Sequence, residues 1–213
     1  MSERMHKAAA ASGQRGARHV APIQTRASCI AFGLCLASAT ASMAHPDVWV
    51  TMQYKLGFSE TALTELEVVW AYDVFYSDRA ISQYDTDGDS AFSAEEAGVM
   101  QEALFGPIAA EGYFVRVFVG ETAQRMRLER FAPAVEGDQL AITFSLIPET
   151  PIEYRAEPVA IATYDDTVFD FSLAEQDFLR VDGAFDANCR FRVQAGDGPL
   201  EGAPQTIMLI CPD

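Results

Sequence analysis

The residues best suited to chemistry lie in an acidic stretch of twelve residues, Asp85 to Glu96. Calcium is a hard cation that takes roughly six to eight oxygen ligands, and binding loops supply them from positions 1, 3, 5, 7, 9 and 12. Here positions 1, 3, 5 and 12 are carboxylates, position 7 offers a backbone carbonyl and position 9 a hydroxyl. The predicted calcium ligands are Asp85, Asp87, Asp89, Ala91, Ser93 and Glu96.

The same stretch has the local features of a loop between two helices. Phe92 is apolar, as needed to pin the loop to a core. Ser93 followed three residues later by Glu96 is the pattern of a capping box, which starts a helix. An oxygen-only ligand set favours calcium over zinc, nickel or copper. The alternative is a surface turn of solvated acids, because Asp and Gly are common in turns.

Two features lower the calcium affinity that we expect. Position 6 of the loop is Ser90, where such loops have Gly. The position requires a positive φ, which costs a non-Gly residue about 1 kcal/mol. The sequence also contains no second loop of this type, although such loops usually occur in pairs. We therefore expect a structural site with a dissociation constant of about 10⁻⁴–10⁻³ M, the range of extracellular modules.

The beginning of the chain has the pattern of an export signal. Five basic side chains precede an apolar, uncharged stretch at 27–41, and small residues precede a cleavage point between Ala44 and His45. A membrane anchor is the alternative, although the apolar stretch is at the short limit for a span. Neither Cys29 nor Cys35 stands in a lipoprotein motif, so no lipid anchor is expected. The prediction is a signal peptide over 1–44 and a periplasmic mature protein.

The charge of the chain limits its partners. The formal net charge is −16, and residues 45–213 alone hold 10 basic and 30 acidic side chains. A chain this acidic repels nucleic acids and anionic lipid surfaces, and it attracts cations.

Export would also leave two cysteines in the mature chain, Cys189 and Cys211. Two thiols in an oxidising compartment are expected to pair, so the sequence predicts a disulfide between them.

Alternating apolar residues predict a mainly β fold. Val48–Phe58 and Leu66–Tyr72 have a period of two and a short connection, which predicts an antiparallel pair. Many short strands separated by turns predict an antiparallel β-sandwich in a single domain over 45–213. The later candidate strands are Tyr113–Val119, Arg125–Arg130, Leu140–Ile147, Val159–Tyr164, Val168–Leu173, Arg190–Gln194 and Thr206–Ile210.

The acidic loop interrupts this β pattern. Asp73–Tyr84 and Glu95–Phe105 lack the period of two and predict two short helices on either side of it. The sequence therefore predicts an EF-hand-like helix–loop–helix inserted into the β domain at about 73–106.

The predicted mature N-terminus carries a second group of metal-binding side chains. A free amine and the imidazole of His45 can chelate copper or nickel, and Asp47 adds an oxygen. Pro46 has no amide hydrogen, which blocks binding through the second backbone nitrogen. The alternative is a polar lead-in to the first strand.

The start His45-Pro46-Asp47-Val48-Trp49-Val50, the single acidic loop after a strand pair and the strand-rich remainder resemble a bacterial family. The family is uncharacterised, is labelled the periplasmic component of an ABC-type transport system, and is often encoded beside nickel/cobalt permeases. The resemblance implies a periplasmic accessory to metal-ion transport, with an inner-membrane metal-ion permease as partner. The family start commonly reads His-Pro-His, and Asp47 replaces its second His.

Three classes of function follow from these patterns. A periplasmic calcium-binding accessory or binding protein is the leading interpretation. A structural or adhesive β-sandwich stabilised by calcium is the alternative. A hydrolase is the least favoured, because the lone His45 at a chain end does not suit a catalytic triad and no other catalytic constellation stands out.

Overall fold

The protein is mainly β, as the sequence predicts. The structure, a computed structural model, describes residues 48–195, 203 and 205–212. Its strands are β1 (Val48–Phe58), β2 (Leu63–Tyr72), β3 (Val115–Val119), β4 (Thr122–Ala123), β5 (Met126–Glu136), β6 (Gln139–Pro148), β7 (Val159–Thr163), β8 (Phe169–Leu173), β9 (Leu179–Gly183), β10 (Arg190–Ala195) and β11 (Gln205–Ile210). Its helices are α1 (Val74–Tyr84), α2 (Ala94–Phe105) and a 3₁₀ segment (Ala109–Phe114).

The strands form two sheets. The first has the order β5-β6-β2-β1, and both β8 and β9 pair with the remaining edge of β1. The second has the order β10-β11-β7-β3-β4. Most neighbours are antiparallel, but β8 and β9 run parallel to β1, so the first sheet is mixed. The predicted β-sandwich class is therefore confirmed, with parallel pairs that strand periodicity does not reveal.

The core lies where the sequence pattern places it. Alternate side chains of a strand point to one face, so a period of two buries every second residue. In β1 these residues are Val48, Val50, Met52, Tyr54, Leu56 and Phe58, all of them buried. The largest side chain in the core is Trp70 of β2, whose ring contacts those of Tyr72, Phe105, Phe144 and Phe171.

Helix α1 is attached to the first sheet by polar contacts. Asp73 caps its start by accepting hydrogen bonds from the backbone N–H groups of Phe75 and Tyr76. The buried hydroxyl of Ser77 donates to the carbonyl of Tyr72 at 3.3 Å and accepts from the N–H of Leu140 at 2.9 Å. These contacts fix α1 against β2 and β6.

Helix α2 is attached by apolar burial instead. Met100 is fully buried and Phe105 is 1% exposed. Phe105 packs against Trp70 of β2 and Phe131 of β5, so the end of α2 is held inside the aromatic core. Within the residues described, no helix has both the length and the apolar character needed to cross a bilayer.

Several strand boundaries differ from those predicted. The strand predicted at Tyr113 begins at Val115, because Gly112, Tyr113 and Phe114 are left-handed, with φ of 60°, 57° and 57°. The strand predicted over Arg125–Arg130 extends to Glu136. Strands β4 and β9 have no buried alternation and were not predicted.

The predicted disulfide is confirmed between Cys189 and Cys211. It joins the residue before β10 to the residue after β11, which are neighbouring antiparallel strands. The bond therefore closes the open end of this hairpin.

Candidate metal centre

The acidic loop connects the two helices and is anchored at both ends. Tyr84, the last residue of α1, is buried in the core. Phe92 is half-buried and packs against the same core, as its apolar character predicts. Ser93 then caps α2. The loop is therefore held between two packed aromatic side chains, while most of its acidic residues face solvent.

Three carboxylates converge at the start of the loop. Asp85, Asp87 and Asp89 each offer an oxygen, and these oxygens lie within 4.8 Å of one another. Calcium–oxygen distances of about 2.3–2.6 Å put two ligands on opposite sides of an ion at most about 5 Å apart. The three carboxylates are thus close enough to bind one metal ion together.

Backbone N–H groups hold these carboxylates in place. Asp85 Oδ1 accepts from the N–H of Gly88 at 2.9 Å and of Asp89 at 3.2 Å, and its Oδ2 accepts from Ser90 at 3.0 Å. Asp89 Oδ1 accepts from the N–H of Ala91 at 2.8 Å. These bonds wrap the loop around Asp85 and leave acceptor positions on Asp87 and Asp89 open.

The backbone turns where a calcium loop must turn. Ser90 has φ of 63°, the left-handed conformation that the sequence predicts for position 6. Gly88 also has a positive φ, 72°, which costs a glycine little. Ser90 therefore adopts the conformation that is expected to strain a residue other than glycine at this position.

Glu96 occupies a different position from the three aspartates. Its Oε1 accepts from the backbone N–H and the hydroxyl of Thr86, both at 2.6 Å. Its Oε2 accepts from the N–H and the hydroxyl of Ser93, both at 2.9 Å. A carboxylate has about four acceptor sites, so all of them are used. Hydrogen bonds from the Thr86 hydroxyl, then from the backbone of Ser93, lower the pKa of Glu96 to about 2.

The comparison with known families assigns the chain to a group without an established function. The family model described as "Protein of unknown function (DUF1007)" matches residues 30–203. The chain belongs to this family. No curated protein matches the chain. The DUF1007 match includes the acidic loop and both flanking helices, and its description specifies no ligand or reaction.

The predicted ligands of this DUF1007 protein thus divide into two groups. Asp85, Asp87 and Asp89 come together. Ser93 and Glu96 instead form a capping box, as predicted, in which the N–H of Glu96 bonds to the Ser93 hydroxyl. Ala91 is exposed beside the aspartates.

One contact of the candidate site does not follow from the loop pattern. Thr86 ties the beginning of the loop to its end through Glu96. The available signal was a hydroxyl at loop position 2, directly after the first ligand.

The second candidate group, His45 and Asp47, lies outside the residues that the structure describes. The predicted signal over 1–44 also lies outside them.

Proposed function

We propose that this protein is an exported calcium-binding protein in which the acidic loop holds one structural calcium ion. The observation that carries the proposal is the convergence of the Asp85, Asp87 and Asp89 carboxylates within 4.8 Å. Three like charges at this distance repel one another, and a divalent cation removes that repulsion. Oxygen ligands alone favour a hard cation.

The remaining ligands are proposed from the loop pattern. The Ala91 carbonyl, the Ser93 hydroxyl and the Glu96 carboxylate complete the set. Glu96 joins only by giving up hydrogen bonds, because Thr86 and Ser93 use all its acceptor positions. Calcium binding therefore competes with the Thr86–Glu96 contact, which together with Ser90 keeps the affinity low.

The ion would stabilise the connection between α1 and α2. A ligand that binds only the folded state stabilises it by RT ln(1 + [L]/Kd), which is about 1.4 kcal/mol at a calcium concentration of ten times Kd. In calcium-rich surroundings such a site stays occupied, so we assign it a structural role and not that of a sensor.

Calorimetric titration of the purified protein with calcium and with magnesium tests the proposal. We expect one calcium per chain and a melting temperature that rises with calcium and falls with chelator. Asp87→Asn should lose both the binding of calcium and its effect on the melting temperature. Asp78→Asn removes an exposed acid from α1 and is the matched control. A melting temperature that calcium does not change would refute the proposal.

We further propose that the protein serves metal-ion transport in the periplasm, with an inner-membrane metal-ion permease as partner. Support comes from the predicted signal peptide, from a disulfide compatible with export, and from the family resemblance carried by the start of the mature chain. Co-purification with an inner-membrane metal-ion permease, lost when residues 45–47 are deleted, tests this. A stable calcium complex without any permease would favour the structural or adhesive alternative.

A further inference from the structure

The outer face of the first sheet is open to solvent. Alternate residues of its strands point away from the core, and the strand registers align these residues in rows across the sheet. The two middle rows of this face carry no charged side chain. They contain Ala71, Ala141 and Ala134 in one row and Val69, Thr143 and Ala132 in the next. All of these residues except Ala141 are half-buried or exposed.

A row of basic residues borders the middle rows on one side. This basic row contains Arg180, Lys55 and Arg130, with Glu67 between the last two. Glu67 forms ion pairs with both Lys55 and Arg130. Residues 45–213 hold only 10 basic side chains, so three of them in one row form a local concentration of positive charge.

The row on the opposite side of the middle rows is acidic. In this acidic row, Asp170 lies beside Trp49, and Glu136 lies beside Gln139. Asp170 and Glu136 form no ion pair with other described residues, and neither does Arg180 of the basic row. Trp49 is 55% exposed, and tryptophan is one of the residues that most often dominate binding at protein interfaces.

Ser145 adds a polar group without a partner to the same face. It lies in the basic row between Glu67 and Arg130, whose ion pair joins the residues on either side of it. It is 1% exposed, and its hydroxyl has no hydrogen-bond partner among the described residues. Buried hydroxyls are bonded in the large majority of cases, so this one indicates a contact that the single chain does not complete.

The charge pattern of this face fits a second copy of the same chain. The chain as a whole is strongly acidic, so two copies repel each other unless they meet through a face on which opposite charges align. A two-fold axis that crosses the strands between the two middle rows places the basic row of each copy on the acidic row of the other. The uncharged rows then lie on each other. A basic partner would instead be drawn to the acidic remainder of the surface.

We propose that two copies of this protein form a symmetric dimer through the outer faces of their first sheets. Sheets that pack face to face keep their strands aligned to within about 30°, so each β5 lies along the β5 of the partner subunit, in the opposite direction. Arg130 then faces Glu136 of the partner subunit. At the other side of the sheet, Arg180 faces Asp170 of the partner subunit. Two-fold symmetry makes each of these ion pairs occur twice.

Strands β1 and β6 supply further contacts. Lys55 faces the exposed indole of Trp49 of the partner subunit, and a cation is attracted to the face of such a ring. Ser145 faces Gln139 of the partner subunit. The amide nitrogen of Gln139 is already bonded within its own chain, which leaves its oxygen free. This oxygen accepts from the Ser145 hydroxyl once Arg130 has turned to its new ion pair.

The expected dimer is weak. Glu67 faces Asp73 of the partner subunit, a contact between like charges, although Lys55 and three backbone N–H groups partly neutralise these carboxylates. The four rows span about 20 Å along the strands and about 20 Å across them, since rows lie about 6.8 Å apart and strands about 4.8 Å apart. This area of about 400 Å² is half that of a standard interface, about 800 Å² per subunit. The fraction of dimer should therefore depend on protein concentration.

Sedimentation velocity of the purified mature protein over a range of concentrations tests this inference. We expect a monomer–dimer equilibrium that Arg130→Glu and Glu136→Arg each weaken at least tenfold. The double variant Arg130→Glu/Glu136→Arg should regain association, because both charges are exchanged and opposite signs meet again. A protein that is monomeric at every concentration, or a double variant that stays monomeric, would overturn the proposal.

Matched substitutions in the second sheet locate the contact. Arg192 is an exposed residue of β10, so Arg192→Glu makes the same charge change outside the proposed interface and should leave association unchanged. Ala132→Arg places a charge in the uncharged rows and should abolish association. Ala123→Arg, at an exposed position of β4, should not. Urea unfolding verifies that each variant is folded. Equal association by the two alanine variants would place the contact elsewhere and overturn the assignment.

Discussion

Thr86 and Glu96, at positions 2 and 12 of the acidic loop, are joined by two hydrogen bonds to a single carboxylate oxygen. The N–H and the hydroxyl of Thr86 both donate to Glu96 Oε1 at 2.6 Å. This contact joins the beginning of the loop to its last residue. It also holds the one glutamate that calcium loops use as their last ligand.

Thr86→Val should therefore separate loop closure from calcium binding. Valine keeps the shape and removes the hydroxyl donor, so we expect a lower melting temperature in chelator and a several-fold tighter calcium affinity. Calorimetric titration and thermal unfolding measure the two effects. Thr51→Val, at an exposed position of β1, is the control and should change neither. Weaker calcium binding by Thr86→Val would contradict the competition that we describe.

Ser90→Gly should stabilise the protein. The φ of 63° costs a non-Gly residue about 1 kcal/mol, and glycine removes most of that cost, although its greater freedom in the unfolded chain offsets part of the gain. We expect the free energy of unfolding, measured in urea, to rise by about 0.5 kcal/mol. We also expect calcium to bind more tightly. Ser172→Gly in β8 is the opposite control, because glycine destabilises a strand. Destabilisation by both substitutions would argue against strain at Ser90.

The parts of the fold that sequence predicts are those decided by local burial. The apolar residues of β1 and β2 alternate because one face of their sheet is the core, so both strands and their pairing follow from the pattern. Strand β9 could not be found in this way, because four of its five residues are exposed and its pairing partner β1 is distant in sequence. Tyr113 continues the apolar pattern of β3 but turns left-handed, since its ring packs against Phe105.

In the candidate site, too, some contacts follow from the local sequence and others depend on residues farther apart in the chain. The positions of Asp85, Asp87 and Asp89 follow from loop spacing, because a short loop between two helices must bring alternate residues together. The capping box of Ser93 and Glu96 is also local in sequence. The bond from Thr86 to Glu96 spans ten residues and depends on how the two helix ends approach, which residue spacing does not encode.

Removal of the disulfide should cost about 3 kcal/mol of unfolding free energy. Cys189 and Cys211 are 22 residues apart, and the loss of a closed loop of that length raises the entropy of the unfolded chain by about this amount. Urea unfolding of the Cys189→Ser/Cys211→Ser double variant measures the change. Reductant should destabilise the natural protein to the same level and leave the double variant unchanged. An effect of reductant on the double variant would show that the reductant destabilises the protein by a route other than this disulfide.

Asp186 should make stability depend on pH in the acid range. The backbone N–H of Asn188 and the guanidinium of Arg155, 3.2 Å from Asp186 Oδ2, hold the pKa of this carboxyl below its usual value of 3.8. A lowered folded-state pKa stabilises the fold above the unfolded-state pKa, and the contribution is lost as pH falls through the folded-state value. Asp186→Asn should therefore be less stable than the natural protein at pH 7, and the difference should shrink as pH falls below about 4.

Urea unfolding of both proteins across this range, after calcium has been removed at pH 7 and in calcium-free buffers, measures the difference in free energy. Without calcium in solution, the pH dependence of metal binding does not contribute. Asp138→Asn, in the exposed turn between β5 and β6, is the matched control, because its side chain makes no hydrogen bond or ion pair with the described residues. A difference for Asp186→Asn that stays constant down to pH 2 would mean that the amide disturbs packing and that the carboxylate charge does not stabilise the fold.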